Sequence, residues 1–260
     1  MTPVDVHFAA NGPTDAPVLV LSPSLGSTLG MWDPQVAALA ERFRVIRYDP
    51  RGHGRSPVPP GPYEISDFAD DVVRLLDRQG VDRAHYCGLS MGGMVGISLA
   101  ADHPDRVHRL VLCCTTAKFP SPQPWVERAA TVRANGTAAI AGAVVERWLT
   151  PGFAASHPAV VARLRSMIEQ TDDEGYAACC GAIERMDLRS ALPRITAPTL
   201  VVAGEQDPAA PPELLQGIAT AIPGARLEVL SPAAHLANIE QAEPLTRLLL
   251  GHLTADAVVA

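Results

Sequence analysis

The run Gly88-Leu89-Ser90-Met91-Gly92 constrains this chain more than any other feature, because it sets a serine between two glycines, each two positions away. Before it stands an apolar run, Ala84-His85-Tyr86-Cys87, and after it comes Met94-Val95-Gly96-Ile97-Ser98-Leu99-Ala100, which has helical character. A strand that turns sharply into a helix at a serine strains that residue and exposes its hydroxyl. Only glycines let the two backbone arms approach so closely. The same five-residue pattern also occurs in plain Gly/Ser turns, but the strand before and the helix after favour a nucleophile held on a tight elbow.

Short apolar runs alternate with helical patterns through the first 117 residues, as parallel strands joined by crossover helices do. Strands are expected at Val4 to Phe8 (an edge), Val18 to Leu21, Arg44 to Tyr48, the elbow strand, and His108 to Cys114. Phe68 to Leu76 has helical spacing and Gly80 caps it. After Lys118 the pattern turns to helices alone: Trp125 to Arg133, Ala138 to Trp148, Val160 to Gln170 and Tyr176 to Met186. Strand signals return at Pro198 to Ala203 and Arg226 to Leu230, and Pro244 to Leu253 closes as a helix. The expected organisation is a core of residues 1–117 and 188–260, with a helical cap, 118–187, inserted over the end of the sheet that carries the elbow.

A chain of 260 residues is ample for one such domain. Its net charge of −7 argues against nucleic acid or an anionic membrane as partner. No run is apolar enough over sufficient length to span a bilayer, and the start shows no signal-peptide pattern. Cys87, Cys113, Cys114, Cys179 and Cys180 lie in apolar contexts, two pairs of them adjacent, which suits small buried thiols and a cytoplasmic location. One stretch departs from the acidic balance: between Lys118 and Ile168 six basic residues face two acidic ones. Such a patch serves either as a solvated helical face or as an anion site.

A serine hydroxyl is a weak nucleophile at neutral pH and needs a histidine base, which in turn needs a carboxylate to hold its tautomer. On an α/β sheet with this elbow the chain order is serine, acid, histidine. Asp207, in the loop Gly204-Glu205-Gln206-Asp207-Pro208 after a strand, is the expected acid, with Glu205 as its neighbour and competitor. His235, in Ser231-Pro232-Ala233-Ala234-His235-Leu236 after the last strand, is the expected base. Oxyanion donors are expected at the Met91 amide and in Ser22-Pro23-Ser24-Leu25-Gly26, at Leu25. Asp49-Pro50-Arg51-Gly52-His53-Gly54 reads as a Gly-rich turn that braces neighbouring loops, not as catalytic. No metal-ligand spacing and no dinucleotide fingerprint appears, so neither a metal nor a cofactor is implied.

These features together identify an α/β-hydrolase fold, a mostly parallel central sheet flanked by helices with an inserted helical cap. Ser24-Leu25-Gly26 with Leu29-Gly30-Met31-Trp32-Asp33-Pro34-Gln35, the Tyr48-to-Gly54 loop, Gly88 to Gly93, Glu174 to Cys180, and His235-Leu236-Ala237-Asn238-Ile239-Glu240-Gln241 resemble the 3-oxoadipate enol-lactonases over nearly the whole chain. Pro23 stands where that family's pattern carries asparagine. The resemblance implies hydrolysis of 3-oxoadipate enol-lactone in aromatic catabolism through a serine acyl-enzyme, with a small carboxylate-bearing lactone as the small-molecule partner. It gives the basic stretch a purpose: Arg128 and Arg133 are the candidate carboxylate contacts, with Trp125 and Trp148 as further substrate contacts. The alternatives are another carboxylesterase, a cofactor-free perhydrolase or haloperoxidase, or a slow-turnover receptor-like protein that binds a lactone.

Overall fold

The computed structural model describes residues 1–255. Seven strands form one sheet in the order β1-β3-β2-β4-β5-β6-β7. They are β1 (Phe8–Asn11), β2 (Val18–Ser22), β3 (Arg44–Tyr48), β4 (Ala84–Leu89), β5 (Val107–Cys113), β6 (Thr199–Gly204) and β7 (Arg226–Leu230). Only β1 runs antiparallel to its neighbour. β2, β4 and β6 are buried along their whole length. That is why they read as unbroken apolar runs: helices cover both faces of a parallel sheet.

The helices of the core are α1 (Asp33–Leu39), which follows a 3₁₀ turn at Leu29–Trp32, α2 (Ile65–Arg78) and α3 (Met91–Asp102). Between β5 and β6 no strand occurs and five helices follow one another: α4 (Gln123–Asn135), α5 (Ala138–Trp148), α6 (Pro151–Ser156), α7 (Pro158–Glu169) and α8 (Asp173–Arg185). The chain closes with α9 (Pro212–Ala221), α10 (Ala237–Glu240) and α11 (Ala242–Leu253). Among the described residues no helix is long and apolar enough to cross a membrane. All five cysteines are buried and free.

Two expectations about elements are corrected. The edge strand lies at Phe8–Asn11, not at Val4 to Phe8, because the Val4 amide is taken by Asp71 Oδ1 at 2.7 Å and the segment lies against α2 instead of the sheet. The helical stretch after Lys118 contains a fifth, short helix, α6, that its proline concealed.

The strand order places the site. From β2 the chain turns outward to β3, whereas β4 lies on the other side of β2, so the order reverses between β2 and β4. Crevices open beyond the carboxyl ends of strands at such a reversal. The loop after β2 and the elbow after β4 therefore meet, and Ser22 pairs in register with Gly88.

Candidate active site

Ser90 sits between β4 and α3 with φ 57° and ψ −116°, a strained conformation for a residue with a side chain. The glycines around it are obligatory. A Cβ on Gly88 would lie 2.0 Å from the Gly92 carbonyl oxygen, and one on Gly92 would lie 2.4 Å from that of Ser22. The turn is held from β5: Ser90 N donates to the Cys113 carbonyl at 2.9 Å, and Thr115 Oγ1 donates to the Ser90 carbonyl at 2.7 Å.

Asp207 and His235 come together from the loops after β6 and β7. His235 Nδ1 and Asp207 Oδ2 are 2.8 Å apart, both side chains buried. The second carboxylate oxygen of Asp207 accepts from the amides of Ala209 and Ala210 at 2.8 and 3.0 Å. The carboxylate is thus fixed from both sides and its charge is compensated. Glu205 is exposed and is engaged by Ser231 Oγ, so it is not the partner of the imidazole. Gly204 lets the two loops touch, since a Cβ there would lie 2.2 Å from the Ala234 carbonyl oxygen.

Leu25 is buried in the loop after β2, and Met91 opens α3. Among the described residues neither amide has an acceptor within the chain. His53 supports the first of these loops. The Gly26 amide donates to His53 Nε2 at 2.8 Å, which puts the ring proton on Nδ1, 3.2 Å from the Arg51 carbonyl oxygen. Burial pushes the His53 pKa down to about 4, against smaller opposing effects of the Arg51 carbonyl and Asp49, so the ring stays neutral. The turn that the sequence marks as a brace is one, and its histidine is the contact.

A cavity of about 510 Å³ opens over these groups. Ser90, His235 and Leu25 line its floor, and Trp125, Arg128 and Trp148 from the inserted helices line its walls. Most of the surface is apolar carbon, with the Arg128 guanidinium set 4.7 Å from the centre of the Trp125 ring. Arg133 does not reach this cavity. It lies exposed, bonded to both carboxylate oxygens of Glu174 at 2.8 Å. Five residues separate it from Arg128, which on an α-helix turns it about 140° away.

Arg147, one turn end beside Trp148, does line the cavity. The basic stretch contained it, but only the helix phase shows which of its members face inward. Of the six basic residues in that stretch, four have carboxylate partners: Lys118 with Asp187, Arg133 with Glu174, Arg163 with Asp33, and Arg165 with Glu169. Arg128 and Arg147 have none among the described residues, although Glu213 shares the rim. Nor do three His, Cys, Asp or Glu side chains gather as metal ligands would, among the described residues. A hydroxyl and a carboxylate-held imidazole under a largely apolar cavity, with two guanidinium groups that lack carboxylate partners, suit acyl transfer on a small anionic ester.

Comparison with known proteins agrees with this geometry. The family model described as the alpha/beta hydrolase fold matches residues 17–242. A protein named 3-oxoadipate enol-lactonase 2, from Acinetobacter baylyi, is 42% identical over 238 residues, covering 92% of this chain and 89% of that one. The crystal structure of an enol-lactonase from Burkholderia xenovorans superposes with a TM-score of 0.94 at 46% identity, covering 96% of both chains. A putative carbamate hydrolase, RutD, from Stutzerimonas stutzeri is 31% identical, covering 95% of this chain and 96% of its own.

Proposed function

Because the chain belongs to the α/β-hydrolase family and, within it, to the 3-oxoadipate enol-lactonases, we propose that it opens the ring of 3-oxoadipate enol-lactone to give 3-oxoadipate, with Ser90 as nucleophile. The observation that carries this reading is the pair of arginines, Arg128 and Arg147, left without carboxylate partners in the wall of an otherwise apolar cavity above Ser90 and His235. A neutral ester would give the half-buried Arg128 no anionic partner, while Arg147, exposed and 3.4 Å from the Pro208 carbonyl, is met by solvent as well. A lactone with a free carboxylate supplies what they lack.

Ser90 Oγ attacks the lactone carbonyl while His235 Nε2 takes its proton, and Asp207 stabilises the resulting imidazolium through Nδ1–H. The Leu25 and Met91 amides receive the charge that develops on the carbonyl oxygen. Each such donor is worth about 3 kcal/mol in the transition state. The C–O bond of the ring then breaks as the His235 imidazolium returns its proton to the ring oxygen, which leaves as an enol that tautomerises to the ketone. An enol is a better leaving group than an alkoxide, so the first step needs less help than ordinary ester cleavage. Water, deprotonated by His235, adds to the acyl-enzyme and frees Ser90.

The test is direct assay of the purified protein on 3-oxoadipate enol-lactone, a carbamate and a neutral p-nitrophenyl ester. The reading expects kcat/KM highest on the lactone, with 3-oxoadipate as product. The RutD likeness raises carbamate cleavage as the second reading, and a kcat/KM on the carbamate above that on the lactone would decide for it.

A further inference from the structure

After His235, the run to Gln241 carries three polar side chains that fasten the His235 loop. Asn238 Nδ2 donates to the Met31 carbonyl at 2.9 Å, and Gln35 Nε2 donates to the Asn238 carbonyl at 2.7 Å, which fixes the loop to the 3₁₀ turn and α1. Gln241 Nε2 donates to the Pro232 carbonyl at 2.7 Å, closing the loop on itself. Glu240 reaches further. One of its carboxylate oxygens accepts from the Ala234 amide at 2.5 Å; the other accepts from the Thr150 amide at 2.9 Å and from Thr150 Oγ1 at 2.6 Å. On the other side of His235, the Leu236 amide donates to the carbonyl of Trp148 at 2.9 Å.

His235 is thus flanked by two amides tied to the same three-residue corner of the inserted helices, Trp148 to Thr150, the Leu236 amide directly and the Ala234 amide through the Glu240 carboxylate. Trp148 lines the cavity that the substrate would fill. From these contacts we infer that Glu240 is a positioning residue: its carboxylate locks the His235 loop to the α5–α6 corner, so that the imidazole is set by the inserted helices and not by the core alone. The inference rests on the reading of His235 as the base. Its physical content is that a carboxylate is the one side chain that can take three donors at once, two from Thr150 and one from Ala234. An amide in its place must turn its NH₂ group toward at least one of those donors.

The experiment compares Glu240→Gln, Thr150→Val and the double variant, in the full chain. The first readout is the proton resonance of His235 Nδ1–H, identified by its loss in His235→Gln. The second is kcat and KM on a neutral p-nitrophenyl ester, which does not depend on the arginines. Thr150→Val leaves every residue of the His235 loop unchanged and removes only the hydroxyl that donates to Glu240, yet both it and Glu240→Gln are expected to shift or broaden the resonance. Kcat should fall about 3-fold in Thr150→Val and about 10- to 100-fold in Glu240→Gln, with KM within about twofold, as small misplacements of a catalytic group do. The double variant should be no slower than Glu240→Gln, because both act through one clasp. An unchanged resonance and kcat in Thr150→Val overturn the inference, as do losses that multiply in the double variant. If Glu240→Gln does not fold, Thr150→Val decides alone. Should His235→Gln hydrolyse the ester as fast as wild type, the base assignment falls, and the response of the resonance to Thr150→Val still decides the clasp.

Discussion

Acid should weaken this protein through His53 in a way that one substitution isolates. The ring is buried, takes the Gly26 amide on Nε2, and has a pKa of about 4 instead of 6.5. Its folded value lies below its unfolded value, so as pH falls the unfolded chain binds the proton first. The stabilisation is therefore complete above about pH 6.5 and is lost progressively as pH falls toward 4. Across that window the difference amounts to roughly 3 kcal/mol by linkage. Protonation in place would also aim an N–H at the Gly26 N–H, two donors face to face. His53→Gln keeps an acceptor for Gly26 and removes the titration. Urea unfolding at pH 7 and at pH 4 should show the variant losing about 3 kcal/mol less than wild type over that interval. His85 and His252, also buried with pKa values of about 4, titrate in both proteins and cancel. Parallel losses in the two proteins would refute the argument, as would a His53 resonance that titrates near pH 6.5 in the folded state.

Ser90→Ala should fold normally and lose about a million-fold in kcat, measured on the lactone, since no acyl-enzyme can form. Arg128→Ala should lower kcat/KM for the acidic lactone about 10- to 30-fold and leave a neutral ester unchanged, whereas Arg133→Ala should stay within about twofold on both, because its exposed pair with Glu174 contributes little. Equal losses on both substrates for Arg128→Ala would indicate damaged packing against Trp125. Gly175→Ala places a Cβ 2.6 Å from the Gly52 backbone and should destabilise the protein by about 1–3 kcal/mol in urea unfolding; an unchanged midpoint would show that α8 shifts freely.

The inner strands β2 to β6 were legible because burial on both faces makes them short, nearly continuous apolar runs, and the elbow because it follows β4 directly; the half-exposed edge strand β1 was misplaced, and the His235 loop was found from its place after the last strand. The helices were less so, for one recurring reason. α1, α6 and α9 carry Pro34, Pro151 and Pro212 in their first turn, where proline reads as a breaker although it is well suited to that place. The same cause made α4 and α7 seem to begin two residues late, at Trp125 and Val160 in place of Gln123 and Pro158. Within the site, Arg133 was misplaced because neighbours in sequence were taken as neighbours on one helix face. Glu240 was visible only as part of a run: its partner Thr150 lies ninety residues away, and no local pattern announces such a contact.

The inserted helices are moored unequally. α8 meets the core backbone to backbone at Gly175 and Gly52, sets Cys179 Sγ 3.9 Å from the Arg51 carbonyl, and is held by Arg185 on the Tyr63 carbonyl and Glu64. No side chain larger than hydrogen fits at the glycine contact, so that flank tolerates little drift. At the cavity mouth, where the Phe119 and Trp125 rings lie 5.0 Å apart and tilted by 54° with part of each in solvent, there is no glycine contact of this kind among the described residues. Side chains at the cavity mouth can therefore change with less disturbance than α8, or than the Trp148–Thr150 corner tied to the His235 loop. A library aimed at new esters belongs at Phe119 and Trp125, while Gly175 and the α5–α6 corner should be left alone.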